Sequence, residues 1–346
     1  MPIPSAAEIS FLWDDYRPTR LVELPELARV AKVARVLVKD EGERPFGNFK
    51  VLGGMLAGLR AIARAMGAES FDDLRAHERQ HALPRLVCAS DGNHGLAVTA
   101  AAARVASRAI VYLPEAVSAA RARRIAELGG EIVRIHGTYD DAVDAATDAA
   151  ARGQGLLVSD TSGDPDDAVV RDVMDGYALL AGELRTQLGA IGANASHMFV
   201  QAGVGGLAAA MVEGLHDVLR DPARFIVVEP ESAACVARAL ADGTPTRITG
   251  DLETSAEMLS CGLASAPALD ILRRFGAHSL LVGEDLLEAA VNVLADSGGL
   301  ATTPSGAAGL AGLLRAASDP ELRERHALDA DSVVLLIVTE RAMRAM

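Results

Sequence analysis

At 346 residues, about half of them hydrophobic, the chain has material for one two-lobed enzyme or two modest domains around a large core. A formal net charge of -14, with no dense basic cluster, argues against nucleic acid or an acidic membrane surface as partner and favours a small-molecule substrate. The opening MPIPSAAEISFLWDD lacks a basic-then-apolar leader, and no apolar run reaches the roughly 20 residues of a membrane span, so a cytoplasmic location is expected.

Strands are predicted at RVLVKD (35–40), RLVCAS (85–90), RAIVYLP (108–114), EIVRIHG (131–137) and GLLVSD (155–160). Further ones are predicted at HMFVQAG (197–203), RFIVVEP (224–230), HSLLVG (278–283) and SVVLLIVTE (332–340). Amphipathic helical patterns lie between most of them. In EAVSAARARRIAELGG, Val117, Ile125 and Leu128 share a face and Gly129 and Gly130 supply the stop. This alternation implies right-handed βαβ units and mostly parallel sheets, whose ligands sit at the carboxyl ends of strands. Four short units between about residues 84 and 162 could form a small sheet of their own, with the flanking segments building a larger one and an active site in the cleft between them.

Three stretches carry candidate chemistry. ERPFGNFKVLGG (43–54) places Lys50 between an aromatic-rich turn and an apolar helix start, an odd setting for a hydrated cation. Only Lys32, Lys39 and Lys50 are lysines, so a reaction that needs one has three candidates. Lys32 sits in an amphipathic stretch, and Lys39 ends a strand where a salt link is the simpler use. CASDGNHGLAVTAAAA (88–103) gathers Ser90, Asp91, Asn93 and His94 in a glycine turn before a helix. It suits a carboxylate or polar ring substituent, or, at its simplest, a helix cap made by Asp91 or Asn93.

QAGVGGLAAAMVEGL (201–215) follows a strand and opens a helix. Gly203, Gly205 and Gly206, with Val204 among them, would let backbone N–H groups approach an anion at the positive end of the helix dipole. The motif also spells G-x-G-x-x-A, with Glu229 closing the next strand. By itself it leaves a nicotinamide or flavin cofactor and another phosphate ligand equally open. Cys88, Cys235 and Cys261 form no CxxC and the histidines are scattered, so no structural metal is expected.

FGNFKVLGG, SDGNHG and QAGVGG in this order resemble the fold type II, tryptophan synthase beta family of pyridoxal phosphate enzymes. Within it the likeness is nearest to the diaminopropionate ammonia-lyases, and it runs from about Arg17 to Glu340. The resemblance implies an α/β fold of two open, mostly parallel sheets flanked by helices. It divides the chain into a large cofactor-binding domain (1–83 plus 163–346) and a small mobile α/β domain (84–162). It implies pyridoxal 5'-phosphate as cofactor, a homodimer, and elimination of a β-substituent from a small amino acid.

Residue by residue, Lys50 matches the lysine that joins the cofactor aldehyde, a role suited to an amine that sheds its proton when desolvated. The turn Gly203, Val204, Gly205, Gly206 would take the phosphate ester, Asn93 the 3-hydroxyl oxygen, and Thr339 the pyridine nitrogen, with Phe49 beside the cofactor. A hydroxyl at the ring nitrogen favours β-elimination over transamination. Asp91 matches an aspartate of the ammonia-lyases, where many serine and threonine dehydratases of the family carry a small residue or a serine, and could act as a second base opposite Lys50. Asp160 matches an acidic residue near the substrate's amino end, and Ser90, Asp91, His94 and Asp160 would contact substrate. Gly53 and Gly54 would let their helix sit close under the cofactor.

The likeness implies 2,3-diaminopropionate as substrate. A serine, threonine or 3-hydroxy amino acid dehydratase of the same fold is the alternative, and a nicotinamide-dependent oxidoreductase the distant one. Three features depart from the subfamily. Ser162, Gly163 and Asp164 replace an aromatic residue and a glycine-tyrosine pair, DGY returns only at Asp175 to Tyr177, and Arg341 stands where a glycine normally follows TE. The first and the last of these fall near the expected pocket. Cys261 lies where these lyases carry a cysteine able to pair with an earlier one, here Cys235; two unpaired core thiols are the expected state.

Overall fold

The computed structural model describes residues 3–78, 82–221 and 223–343. Among the described residues the strands are β1 (Leu21–Glu23), β2 (Arg35–Asp40), β3 (Leu86–Ala89), β4 (Ala109–Pro114), β5 (Glu131–Ile135) and β6 (Leu156–Leu157), followed by β7 (His197–Gln201), β8 (Arg224–Pro230), β9 (His278–Val282) and β10 (Val333–Val338). All but β1 are apolar runs predicted above. β1 spans three residues, too few to show an alternating pattern, and it is the antiparallel partner of β2. No helix among the described residues is long and apolar enough to cross a membrane.

The chain forms two compact units, one of Met1–Arg17 and Lys50–Leu179, the other of Pro18–Phe49 and Leu180–Met346. In the first, β3 to β6 make one parallel sheet in the order β5-β4-β3-β6. β3 and β4 are buried along their whole length, which is why they read as unbroken apolar runs. This unit holds the whole span 84–162 and extends beyond it, because the helix Lys50–Met66 packs onto the helix Asn93–Arg104 through small residues. A Cβ on Gly54 would stand 2.6 Å from that of Ala97, and one on Gly58 2.8 Å from that of Ala101.

A third helix, Ala168–Ala190, crosses the Lys50 helix on another side. A Cβ on Gly53 would lie 2.5 Å from the Val173 carbonyl, and one on Gly176 2.4 Å from that of Leu52. Gly53 and Gly54 therefore bring their helix against two neighbouring helices. The DGY at 175–177 belongs to this crossing, with Asp175 also bound to Arg60 at 2.9 Å.

In the second unit the order is β1-β2-β10-β7-β8-β9, parallel except at β1. The apolar faces of these strands and of the helix Pro304–Ser318 form one core that includes Phe199, Ile226, Val228, Leu310 and Leu336, each buried side chain worth roughly 1.5–3 kcal/mol. Beside it lies a closed charge cluster. Lys39 Nζ bonds Glu183 (2.6 Å), Gln187 (2.9 Å) and the Thr19 carbonyl (2.7 Å), and Arg44 bonds Glu41 and Glu183. Lys39 is 0% exposed and its donors are used, so its role is structural, while Lys32 lies at the surface and ends a helix with φ 53. Among the three lysines, Lys50 is left for chemistry.

Each sheet has a point where strand order reverses: between β3 and β6 in the first unit, and between β7 and β10 in the second. In open parallel sheets ligands bind outside the carboxyl ends of strands at such points. The turn Ser90–Asn93 and Asp160 follow β3 and β6, and Gly203–Gly206 and Thr339 follow β7 and β10.

Candidate active site

In the first unit Lys50 opens its helix with its side chain 22% exposed, and its ammonium pairs with Oδ2 of Asp160. Oδ1 of Asp160 accepts the Tyr139 hydroxyl at 2.5 Å. Burial by itself would raise the Asp160 pKa, but the charges of Lys50 and His94 and the hydrogen bonds from Lys50 and Tyr139 hold it well below the usual carboxylate range. Asp91 behaves in the opposite way. Burial pushes it up to about 7, the Lys50 charge pulling it down and the Asp160 charge pushing it further up. Two carboxyl groups beside one lysine are thus driven apart in acidity, a pattern that separates proton-transfer roles.

The turn between them is held by Ser90. Its Oγ accepts from the amides of Gly92 and Gly95, both at 2.8 Å, so the capping expected of Asp91 or Asn93 falls to Ser90. Asp91 accepts no hydrogen bond among the described residues and remains available. Gly92 has φ 132, a conformation only glycine adopts readily, and Asn93 begins the helix half-buried. His94 is buried with its Nε2 2.8 Å from the Val158 carbonyl, which makes Nε2 the donor, while burial lowers the ring's pKa and favours its neutral form; it ties the β3 turn to the end of β6.

In the second unit the amides of Gly203, Val204, Gly205 and Gly206 donate to no acceptor among the described residues, and they lie at the start of the helix Gly206–Leu215, with Gly205 at φ 101. Four unpaired amides at the positive end of a helix form an anion cradle. Thr339, 4% exposed, follows β10; its carbonyl accepts the Phe49 amide at 3.1 Å, one peptide bond before Lys50. Its Oγ1 accepts from Gln201 Nε2 at 3.2 Å. Within this unit an anion cradle and a buried hydroxyl suit a phosphorylated heteroaromatic ring, and pyridoxal phosphate fits this donor set.

Glu229 is 0% exposed, and its two oxygens accept the amides of Val236 and Ala237 at 2.7 Å each, at the start of the helix Cys235–Asp242. It is consumed as a helix cap and has nothing left for a ribose, which removes the physical basis of the nicotinamide alternative. Cys235 and Cys261 are buried thiols on either side of Gly203: Cys235 donates to its carbonyl at 3.3 Å, and Sγ of Cys261 would stand 3.1 Å from a Cβ there. Arg341 is exposed and lies along the turn at Gly47, and Ser162 to Asp164 form a surface turn.

Two side chains at the site were not anticipated from sequence. Tyr139 follows a legible capping box of Thr138 and Asp141, which marks a helix start but not its hydroxyl's partner. Gln201 reads only as the last residue of an apolar strand.

The family model for "Pyridoxal-phosphate dependent enzyme" matches residues 12–340. The chain is 32% identical over 341 residues to the diaminopropionate ammonia-lyase of Escherichia coli K12, covering 94% of this chain and 84% of that protein. Two crystal structures of the Escherichia coli diaminopropionate ammonia lyase superpose at 30% identity, each covering 97% of this chain and 87% of theirs. One, holding an aminoacrylate-PLP azomethine reaction intermediate, gives a TM-score of 0.86; the other, in complex with D-serine, gives 0.87. With its lysine, its anion cradle and this likeness over nearly its whole length, the chain belongs to the pyridoxal-phosphate dependent enzymes.

Proposed function

We propose that the protein is an ammonia-lyase that removes the β-substituent of a small amino acid, with 2,3-diaminopropionate as substrate and pyruvate and two ammonia molecules as products. The observation that carries this reading is the pair of carboxyl groups at Lys50, Asp160 held ionised and Asp91 raised to about 7. The names of the relatives support it, as does the D-serine complex.

Lys50 would hold the cofactor aldehyde, the turn Gly203–Gly206 its phosphate ester, Asn93 its 3-hydroxyl oxygen and Thr339 its ring nitrogen. Bound pyridoxal phosphate supplies an electron sink for the charge left at the substrate's α-carbon. Asp160, ionised and fixed by Tyr139, attracts the substrate's ammonium group. Lys50 takes the α-proton from one face and Asp91 from the other, so substrates of either configuration can react. With its pKa near neutrality Asp91 can both accept that proton and return one to the departing amine. The C–H and C–N bonds break in turn, and aminoacrylate leaves and hydrolyses to the 2-oxo acid and ammonia.

A panel of D- and L-diaminopropionate, serine, threonine and bulkier β-substituted amino acids, followed by ammonia and 2-oxo acid release, tests the reading. Diaminopropionate should be the preferred substrate; preference for serine or threonine would make the protein a dehydratase. Purified protein should show visible absorbance that Lys50→Ala abolishes, with kcat/KM falling by at least about 100-fold. Asp91→Asn should remove activity on D-substrates and spare L-substrates. We further infer a homodimer working in the cytoplasm, which light scattering and fractionation would check.

A further inference from the structure

Gln201 closes β7 and is 2% exposed. Its Nε2 faces four oxygens: the carbonyls of Ser305, Gly306 and Ile337, each at 3.1 Å, and Oγ1 of Thr339 at 3.2 Å. Turning the amide over would set Oε1 against three carbonyl oxygens, lone pairs against lone pairs, so chemistry dictates that the NH2 group faces inward. Oε1 then has no hydrogen-bond partner among the described residues. A buried acceptor left unsatisfied costs free energy, and that cost is borne on one side of the amide to keep two donors on the other.

Those donors decide what the Thr339 hydroxyl can do. Its oxygen already accepts from Gln201, whose two amide protons are shared between it and the carbonyls of Ser305, Gly306 and Ile337. The Thr339 proton goes to no acceptor among the described residues, although the side chain is nearly fully buried. A hydroxyl in that state offers a ligand a proton.

We propose that Gln201 is a positioning residue that commits Thr339 to donating, so that the site selects a cofactor ring nitrogen carrying no proton. This rests on the reading that Thr339 meets that nitrogen. Gln201 touches neither cofactor nor substrate in this role; it acts through Thr339 alone.

The test is nitrogen-15 NMR of protein loaded with cofactor labelled at the ring nitrogen, read across the neutral pH range. In the wild type the signal should be that of an unprotonated pyridine nitrogen and should not move with pH; a protonated nitrogen overturns the proposal. Gln201→Glu keeps the shape but puts an oxygen where Nε2 stood, which takes the Thr339 proton; the signal should move toward the protonated form and cofactor affinity should fall several-fold. Gln201→Met should shift it in the same direction, and if that variant does not fold, the isosteric Gln201→Glu decides. Thr339→Val separates the two ideas. If it leaves signal and affinity as in the wild type, the reading of Thr339 has failed. If it changes them while folded Gln201 variants do not, Gln201 has no positioning role.

Discussion

Tyr139 donates its hydroxyl to Asp160 at 2.5 Å, and the other oxygen of the same carboxylate is held by Lys50. The carboxylate is thereby clamped from two elements, and its charge, buried at 4% side-chain exposure, is satisfied on both oxygens. Replacing Tyr139 by Phe removes one clamp and should destabilise the protein by about 1–3 kcal/mol at neutral pH. Because the folded-state pKa of Asp160 is depressed, its contribution is present above the ordinary aspartate value and is lost as pH falls through the folded value. The gap between Tyr139→Phe and wild type in urea midpoint should therefore be constant above about pH 5 and narrow only in strong acid, as pH falls through the depressed folded value.

Asp91 has the opposite sign. Its pKa is raised by burial to about 7, so the cofactor-free protein loses stability as pH rises from the ordinary aspartate value through about 7. Asn at this position never ionises and escapes that loss. Asp91→Asn should match wild type near pH 4 and become more stable than wild type as pH rises, with the difference complete above about pH 8. Thermal unfolding of the two proteins across that range checks it; an equal or reversed difference at high pH would refute the environment assigned to Asp91.

The helix that carries Lys50 is held by contact between backbones. A Cβ on Gly176 would stand 2.4 Å from the Leu52 carbonyl and 2.6 Å from the Gly53 Cα, with no flexible side chain able to yield. Gly176→Ala should cost about 1–3 kcal/mol by overpacking and lower activity as well, since Leu52 and Gly53 directly follow the lysine. Gly189 lies in the same long helix with nothing within 4 Å of its would-be Cβ. Gly189→Ala should raise stability by roughly 0.5–1 kcal/mol and leave activity unchanged. Urea unfolding at constant slope compares the two.

Glu229 caps a helix with both carboxyl oxygens. Gln supplies one acceptor and turns an amino group toward the other backbone N–H. Glu229→Gln should therefore destabilise by about 1–3 kcal/mol. NADH titrated into the wild type should show no saturable binding; saturation that Glu229→Gln abolishes would restore the ribose-binding role.

The strands β3, β4, β7, β8 and β10 were legible as continuous apolar runs because both faces of a parallel sheet are covered, so that burial is written into every residue of the segment. The glycine turns at Gly92 and Gly203–Gly206 were legible for a related reason: backbone conformation and close approach are local demands that only one residue type meets. Lys50 stood out because the chain has so few lysines and this one lies beside Phe46 and Phe49. The three-residue β1 left no pattern to read, and the cap was read as Asp91 or Asn93 and not Ser90 because all three are chemically able to cap a helix.

What lies side by side across the folded chain could not be read in this way. Asp160 and Tyr139 are 21 residues apart, and Gln201 and Thr339 are 138 apart. Neither pair shares a period or a spacing rule, and each meets only because a crossover returns β6 beside β3 and β10 beside β7. The same holds for Glu229, whose spacing from the glycine turn fits a dinucleotide fingerprint until the following helix is seen to take both of its oxygens. Local sequence chose the residue types, since conformational preference and burial act over a few residues. Sheet order chose their partners and their acidities, because hydrogen bonds and Coulomb interactions depend on distance through space and not on distance along the chain.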